Sequence, residues 1–205
     1  MPVLLTPYTG STRNPKDKFV RAVDSFLSQS FQDKVLIIIS DGCKDSVDIC
    51  NRKYYKEIKK GLIKLIQRER SNLFTGAVRQ AGINEVTGGR LCNLDADDEF
   101  MPHHLHNLDS VFDASKLDWV YFNLYRKLDV LKGVEEVVDT QPNVDSLCTA
   151  SVAWRNGLDA TWIGADGRQD NKIFNKQLLD KYNNYKKVHG LGYIVRNAVF
   201  SYISN

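Results

Sequence analysis

In the first half of the chain, short aliphatic runs alternate with longer stretches whose apolar residues recur at helical spacing, and no other pattern in the sequence restricts the fold as much. Such alternation argues for parallel strands joined by crossover helices. The expected strands are VLL (3–5), KVLIII (34–39), LIKLIQ (62–67) and RLCNL (90–94). Between the first two, Phe19, Val20, Val23, Phe26 and Leu27 share one helical face, so residues 17–29 read as an amphipathic helix lying on the sheet. Two more helices are expected, around 46–60 and 75–86. The run LIII is apolar at successive positions, as a central parallel strand covered on both faces requires.

After Phe100 the pattern changes. Pro102 suits the first turn of a helix running to about Phe112. DWVYFNLYRKLDVL (118–131) and GVEEVVDT then read as an antiparallel pair of strands, SLCTASVAW (146–154) is a third apolar piece, and Ile173, Phe174, Leu178 and Leu179 suggest a helix starting near Gln169. There is no internal repeat, low-complexity tract or linker rich in Pro, Gly or Ser. With 205 residues of which 42% are hydrophobic, the expectation is one domain over 1–205 with two functional halves, 1–100 and 101–205. Its class is α/β: a mixed, mainly parallel sheet flanked by helices, with a small antiparallel element in the second half.

A net charge of +3, from 28 basic and 25 acidic side chains, is too balanced for a nucleic-acid binder. The positive charge gathers locally in NRKYYKEIKKGLIK (51–64), which reads either as a solvated helix face or as a peripheral contact with a membrane or an acidic partner. Cys43, Cys50, Cys92 and Cys148 form no C-x-x-C pair and have no His at zinc-finger spacing, so neither a metal knuckle nor a disulfide framework is signalled. A reducing, cytoplasmic location fits that usage. No apolar run approaches the roughly 18 residues of a membrane span. MPVLLTPYTG is too short in its apolar part for a secretory signal, so a soluble protein is expected.

Ligands of open parallel sheets bind beyond the carboxyl ends of the strands. The residues there are Thr6, Pro7 and Tyr8 after the first strand, SDGCKDS with Asp41 after the second, and Asp95, Asp97 and Asp98 of RLCNLDADDEF after the fourth. Carboxylates side by side repel one another and resist burial, so three in four positions behind an apolar strand need a cation or a cap. Asp41 can accept a hydrogen bond from a base N–H, Tyr8 can pack beside that base, and Asp95 with Asp97 can hold Mg²⁺ or Mn²⁺ bridging to phosphate oxygens. The plainer alternatives are a tight Asp-Gly turn at Asp41 and Gly42, capping of the helix ahead of Pro102 by the acidic trio, and ordinary packing of Tyr8. His103 and His106, at i and i+3, could chelate but lack a third ligand at suitable spacing, so His103, His104 and His106 read as exposed.

Taken in order, VLLTPY, VRAVDSFLSQSFQDKVLIIISDGCKDS and FTGAVRQAGINEVTGGRLCNLDADDEFMPHHL resemble the glycosyltransferase family 2 group of GT-A fold enzymes over about the first 110 residues. The resemblance implies that Tyr8 and Asp41 hold the nucleotide base, with Thr6 and Pro7 beside them. It puts Arg79 near the nucleotide or its phosphates, Ala96 against the donor, and Asp95 and Asp97 at the ribose and at a Mn²⁺ or Mg²⁺ cofactor. Two positions depart from the pattern: Ser40 stands where relatives often have a second acidic residue, and Gln80 where they often have Asn. IGADGRQDNKIFNKQLL resembles the family's ED segment, which makes Asp170 the catalytic base, with Asp166 as the alternative and a helix cap as the plain reading of either. NNYKKVHGLGY is similar to a late Tyr-Arg-x-His type segment and would bring His189 to the metal or diphosphate. Trp162, beside Gly164, is the acceptor-site aromatic; Trp154 belongs to the core.

The implied activity is inverting, metal-dependent transfer of a hexose or deoxyhexose from a nucleotide-diphosphate sugar, a UDP-sugar by preference, to a hydroxyl of a glycan or glycoconjugate. One rival is a sugar-phosphate nucleotidyltransferase, weakened because TPYTGSTRNPKDK holds a single Gly; another is a nucleotide-sugar-binding module without turnover. Because the chain ends soon after the His189 segment, it is expected to be a module of a longer polypeptide.

Overall fold

A computed structural model describes residues 2–6, 16–70, 75–127, 135–163 and 170–196, and the side chains of all of these except 2–6, 75, 170 and 191. In the first half β1 (Pro2–Thr6), α1 (Lys16–Leu27), β2 (Val35–Asp41), α2 (Lys44–Lys53), α3 (Tyr55–Lys59), β3 (Ile63–Arg68), α4 (Thr75–Ile83) and β4 (Arg90–Asp95) alternate as the sequence leads one to expect. The second half adds β5 (Glu99–Phe100), α5 (His104–Ser115), β6 (Trp119–Lys127), β7 (Glu135–Val138), β8 (Val152–Arg155), α6 (Asp170–Lys181) and β9 (Tyr185–Val195).

The described strands make one mixed sheet in the order β3-β2-β1-β4-β8-β6-β9-β5, with β7 paired to β6. β1 pairs in parallel with β2 on one side and with β4 on the other, so the winding reverses beside β1. A crevice opens at the strand ends where such a reversal occurs. β8 runs antiparallel to both β4 and β6, while β9 returns parallel to β6. The second half therefore extends the same sheet.

Helices cover both faces, which explains the uninterrupted LIII run. Leu36 and Ile38 belong to the core layer that also holds Phe19, Val23 and Phe26 of α1 and Leu105, Leu108 and Phe112 of α5. Ile37 and Ile39 face the other way, toward Val78 of α4 and Phe174 and Leu178 of α6. Strand alternation sends neighbouring side chains to opposite layers, and each layer needs its own apolar supply. Truncating a fully buried Phe such as Phe26 to Ala costs about 3–5 kcal/mol.

Four differences from the sequence reading have identifiable physical causes. The helix expected over 46–60 is two helices, broken at Tyr54 (φ −111°, ψ 19°), whose buried side chain donates to the Asp24 carboxylate at 2.8 Å. Pro102 lies in the turn before α5, because the neighbouring backbone is committed elsewhere: Met101 N–H donates to Gly192 O at 2.8 Å and Ser30 N–H to Pro102 O at 3.1 Å. β9 carries no strand pattern in the sequence, since YKKVHGLGYIV interrupts its apolar residues with lysines and glycines. His104, read from sequence as exposed, is 3% exposed, whereas His103 and His106 are exposed.

All four cysteines are free thiols. Among the described residues, no helix is long and apolar enough to cross a membrane.

Candidate functional site

The carboxyl ends of β2, β1 and β4 lie side by side, with Thr6 of β1 in register with Asp95 of β4. β2 ends at Asp41, and the following turn is braced from beneath. Ser46 Oγ donates to Ser40 Oγ (3.1 Å), whose own hydroxyl donates to Cys43 O (3.0 Å), and Gly42 N–H donates to Arg68 O at 2.9 Å. Ser40 is 1% exposed, so the position where relatives often carry a second acid belongs here to the turn's interior, and Asp41 is the half-buried carboxylate at its tip. Gly42 has φ +70°, and a Cβ there would lie 2.6 Å from Arg70 Cβ, so glycine is required. Alongside, a cavity of about 330 Å³ is lined by residues that include Ser40, Cys43, Lys44, Gln67 and Arg68.

Arg79 of α4 crosses to the end of β4 and donates to Asp95 Oδ1 at 2.9 Å. Its side chain is 8% exposed and lies over the Trp162 ring, 5.4 Å from guanidinium carbon to centroid; the Asp95 side chain is 32% exposed. Gln80, the other departure from the pattern, ties α4 to the segment ahead of α6. Its side-chain oxygen accepts from Thr161 Oγ1 and from Trp162 N–H, both at 3.1 Å.

The DADD turn is closed by Asp98 N–H donating to Asp95 O at 3.0 Å. Ala96 is buried, Asp97 is half-buried, and Arg21 donates to Asp97 O at 3.1 Å. Asp98 is 4% exposed and accepts from Tyr193 Oη at 3.1 Å and from Arg196 N–H at 2.8 Å. Burial, with the charges of Asp95 and Asp97 beside it, pushes its carboxyl well above the ordinary carboxylate range. The three acids thus have different situations: Asp95 faces an arginine, Asp98 is a buried anchor, and Asp97 stands between them at the surface of the turn.

Hard carboxylate oxygens from only two side chains suit a divalent cation that completes its shell with phosphate and water oxygens, so Asp95 and Asp97 fit Mn²⁺ or Mg²⁺. Among the described residues, no group of three His, Cys, Asp or Glu side chains could hold a metal ion together. His189, exposed on β9, is therefore not gathered with Asp95 and Asp97, contrary to the expectation from its segment.

Trp162 also departs from expectation. It is 1% exposed and stacks on Phe174 at 4.2 Å with 7° between planes, so neither face is open to an acceptor sugar. It is a core residue that supports Arg79. Asp170 is the first residue of α6, close to the start expected from sequence, and its side chain lies outside those described. Pro7, Tyr8 and Asp166 lie outside the described residues, and Thr6 is described as backbone alone. Sequence reasoning missed Tyr193 and Arg196, which lie 95 or more positions from the turn they hold.

Compared with known proteins, residues 11–142 match the family described as Glycosyl transferase family 2. An uncharacterized glycosyltransferase of Nostoc sp. (strain PCC 7120) is 32% identical over 120 residues, covering 58% of this chain and 35% of that protein. The crystal structure of S. aureus TarS 1–349 superposes with a TM-score of 0.76 at 16% identity, over 95% of this chain and 60% of that one. The same TarS fragment in complex with UDP-GlcNAc gives a TM-score of 0.71 at 16% identity, over 96% of this chain and 58% of that one. GalNAc-T7 with UDP, GalNAc and Mn²⁺ gives 0.50 at 16% identity, over 62% and 23%. The chain thus spans about a third of the curated relative it matches, and its fold is that of GT-A glycosyltransferase structures.

Proposed function

Because the chain belongs to glycosyl transferase family 2, we propose that it transfers a sugar from a nucleotide-diphosphate sugar, preferably a UDP-sugar, to a hydroxyl of a glycan or glycoconjugate acceptor. The observation that carries this reading is the Arg79–Asp95 pair at the end of β4, beside Asp97 and with β1 between it and the end of β2 at Asp41. That arrangement supports a donor site with its base toward Asp41 and its diphosphate toward the DADD turn. TarS and GalNAc-T7, which share the fold, have been crystallised with UDP or UDP-GlcNAc, which favours uridine.

In this reading Tyr8, with Thr6 and Pro7, packs against the base and Asp41 accepts its N–H. Asp95, oriented by Arg79, serves the ribose, with Ala96 closing the turn against the donor. Asp97, with Asp95, would hold Mn²⁺ or Mg²⁺, whose charge offsets that growing on the leaving diphosphate when the ion is bound. Asp170, at the start of α6, takes the proton of the acceptor hydroxyl as its oxygen attacks the anomeric carbon. The bond to the diphosphate breaks on the opposite face, which inverts the centre. The sugar is a hexose or deoxyhexose.

Asp170→Asn tests the base assignment: nucleotide binding should persist while transfer is lost. Full activity in Asp170→Asn together with an inactive Asp166→Asn would move the base to Asp166.

A further inference from the structure

We propose that Tyr193, acting with Asp98, is a positioning residue for the metal- and donor-binding turn; the inference rests on the functional reading above. The Tyr193 hydroxyl accepts the backbone N–H of Asp95 at 2.9 Å and donates to Asp98 Oδ2 at 3.1 Å. One buried hydroxyl therefore grips the DADD turn at both ends. On its other side Asp98 accepts from Arg196 N–H at 2.8 Å, and the Arg196 guanidinium pairs with Glu99. Asp98 thereby joins the turn to the end of β9, a strand that supplies none of the residues assigned to the reaction.

The ring that carries this hydroxyl has little freedom to move. Tyr193 is fully buried, edge-on to Phe100 at 5.6 Å and to His104 at 6.2 Å. Its neighbour Gly192 presses against His104: a Cβ on Gly192 would lie 2.0 Å from the imidazole Nδ1. Met101 N–H donates to Gly192 O at 2.8 Å. Only a residue without a side chain lets β9 approach this closely, and the approach delivers the Tyr193 hydroxyl to the turn. The glycine and tyrosine of the HGLGY segment thus act together, the first by clearance and the second by hydrogen bonding. A buried polar bridge suits positioning, because its geometry is fixed by packing on every side and its loss leaves groups unsatisfied.

Tyr193→Phe removes the hydroxyl and keeps the buried ring. Three readouts on the full chain separate positioning from mere bracing: exchange of the Asp95 amide proton by NMR, the Mn²⁺ concentration that half-saturates UDP binding, and the melting temperature. The expected result is faster exchange at Asp95, on the order of tenfold for one lost hydrogen bond, with a several-fold higher Mn²⁺ requirement. Ile63→Val, in the core at the far end of the sheet, should lower the melting temperature without moving the Mn²⁺ requirement. Asp98→Asn should raise the Mn²⁺ requirement too, and combining it with Tyr193→Phe should add little, since both break one bridge. Gly192→Ala should reproduce the Tyr193→Phe effect by displacing β9. Unchanged exchange, or faster exchange with an unchanged Mn²⁺ requirement, overturns the inference. A wild type that binds no nucleoside diphosphate with Mn²⁺ overturns the functional reading and this inference with it.

Discussion

Replacing Arg79 with methionine keeps much of the side chain's apolar stem over Trp162 and removes its charge. The Arg79 side chain is 8% exposed and Asp95 32% exposed, with 2.9 Å between them. A pair out in water contributes up to about 1 kcal/mol, whereas breaking a fully buried one costs about 3–5 kcal/mol. With one partner enclosed and the other a third exposed, the expected loss is about 2 kcal/mol. In a chain of this size that lowers the melting temperature by about 4–8 °C. Arg79→Met, Asp95→Asn and the double variant, followed by urea unfolding, form a double-mutant cycle, and the expected coupling is about 1 kcal/mol or more. Donor binding should fall in both single variants. Coupling below about 0.3 kcal/mol, or wild-type donor affinity in Arg79→Met, would refute the claim that Arg79 orients Asp95.

Burial lowers His104 from its ordinary 6.5 to about 3, and Nε2 has no hydrogen-bond partner among the described residues. A depressed folded-state value means that the unfolded chain binds the proton more readily. Stability from keeping His104 neutral is therefore complete above pH 6.5 and falls toward pH 3, by up to about 1.4 kcal/mol per pH unit. Urea midpoints measured against pH should show this slope in the wild type and lose it in His104→Leu. Gly42→Ala, with φ +70° and Arg70 in the way, should cost at least about 1–3 kcal/mol, read as a lower melting temperature. Asp97→Ala should weaken UDP binding in Mn²⁺ by at least about tenfold, measured by calorimetry, and leave the melting temperature nearly unchanged.

Much of the parallel half was legible because both of its signals are local. The four strands and α1 follow from period and burial within windows of a few residues, and LIII by itself implies two covered faces. Turn chemistry likewise put Asp41 and the DADD acids at strand ends. What escaped notice depends on partners distant in sequence. β9 is a strand because β6 and β5 flank it. His104 is buried because Phe100, Phe122 and Tyr193 surround it. Trp162 suited an acceptor site on residue type alone, and Phe174 and Arg79 claim its faces. Asp98 looked like a third equivalent acid until Tyr193 and Arg196 met it from the other end of the chain.

The proposed function stands on a nucleotide-sugar donor site built on Asp41, Arg79, Asp95 and Asp97. Calorimetric titration of UDP, GDP, CDP and dTDP into the purified chain, each with Mn²⁺ and with EDTA, tests it most directly. The expected result is selective binding of UDP that needs Mn²⁺ and is lost in Asp97→Ala. Absence of binding under every condition, or equal binding in EDTA, would contradict it.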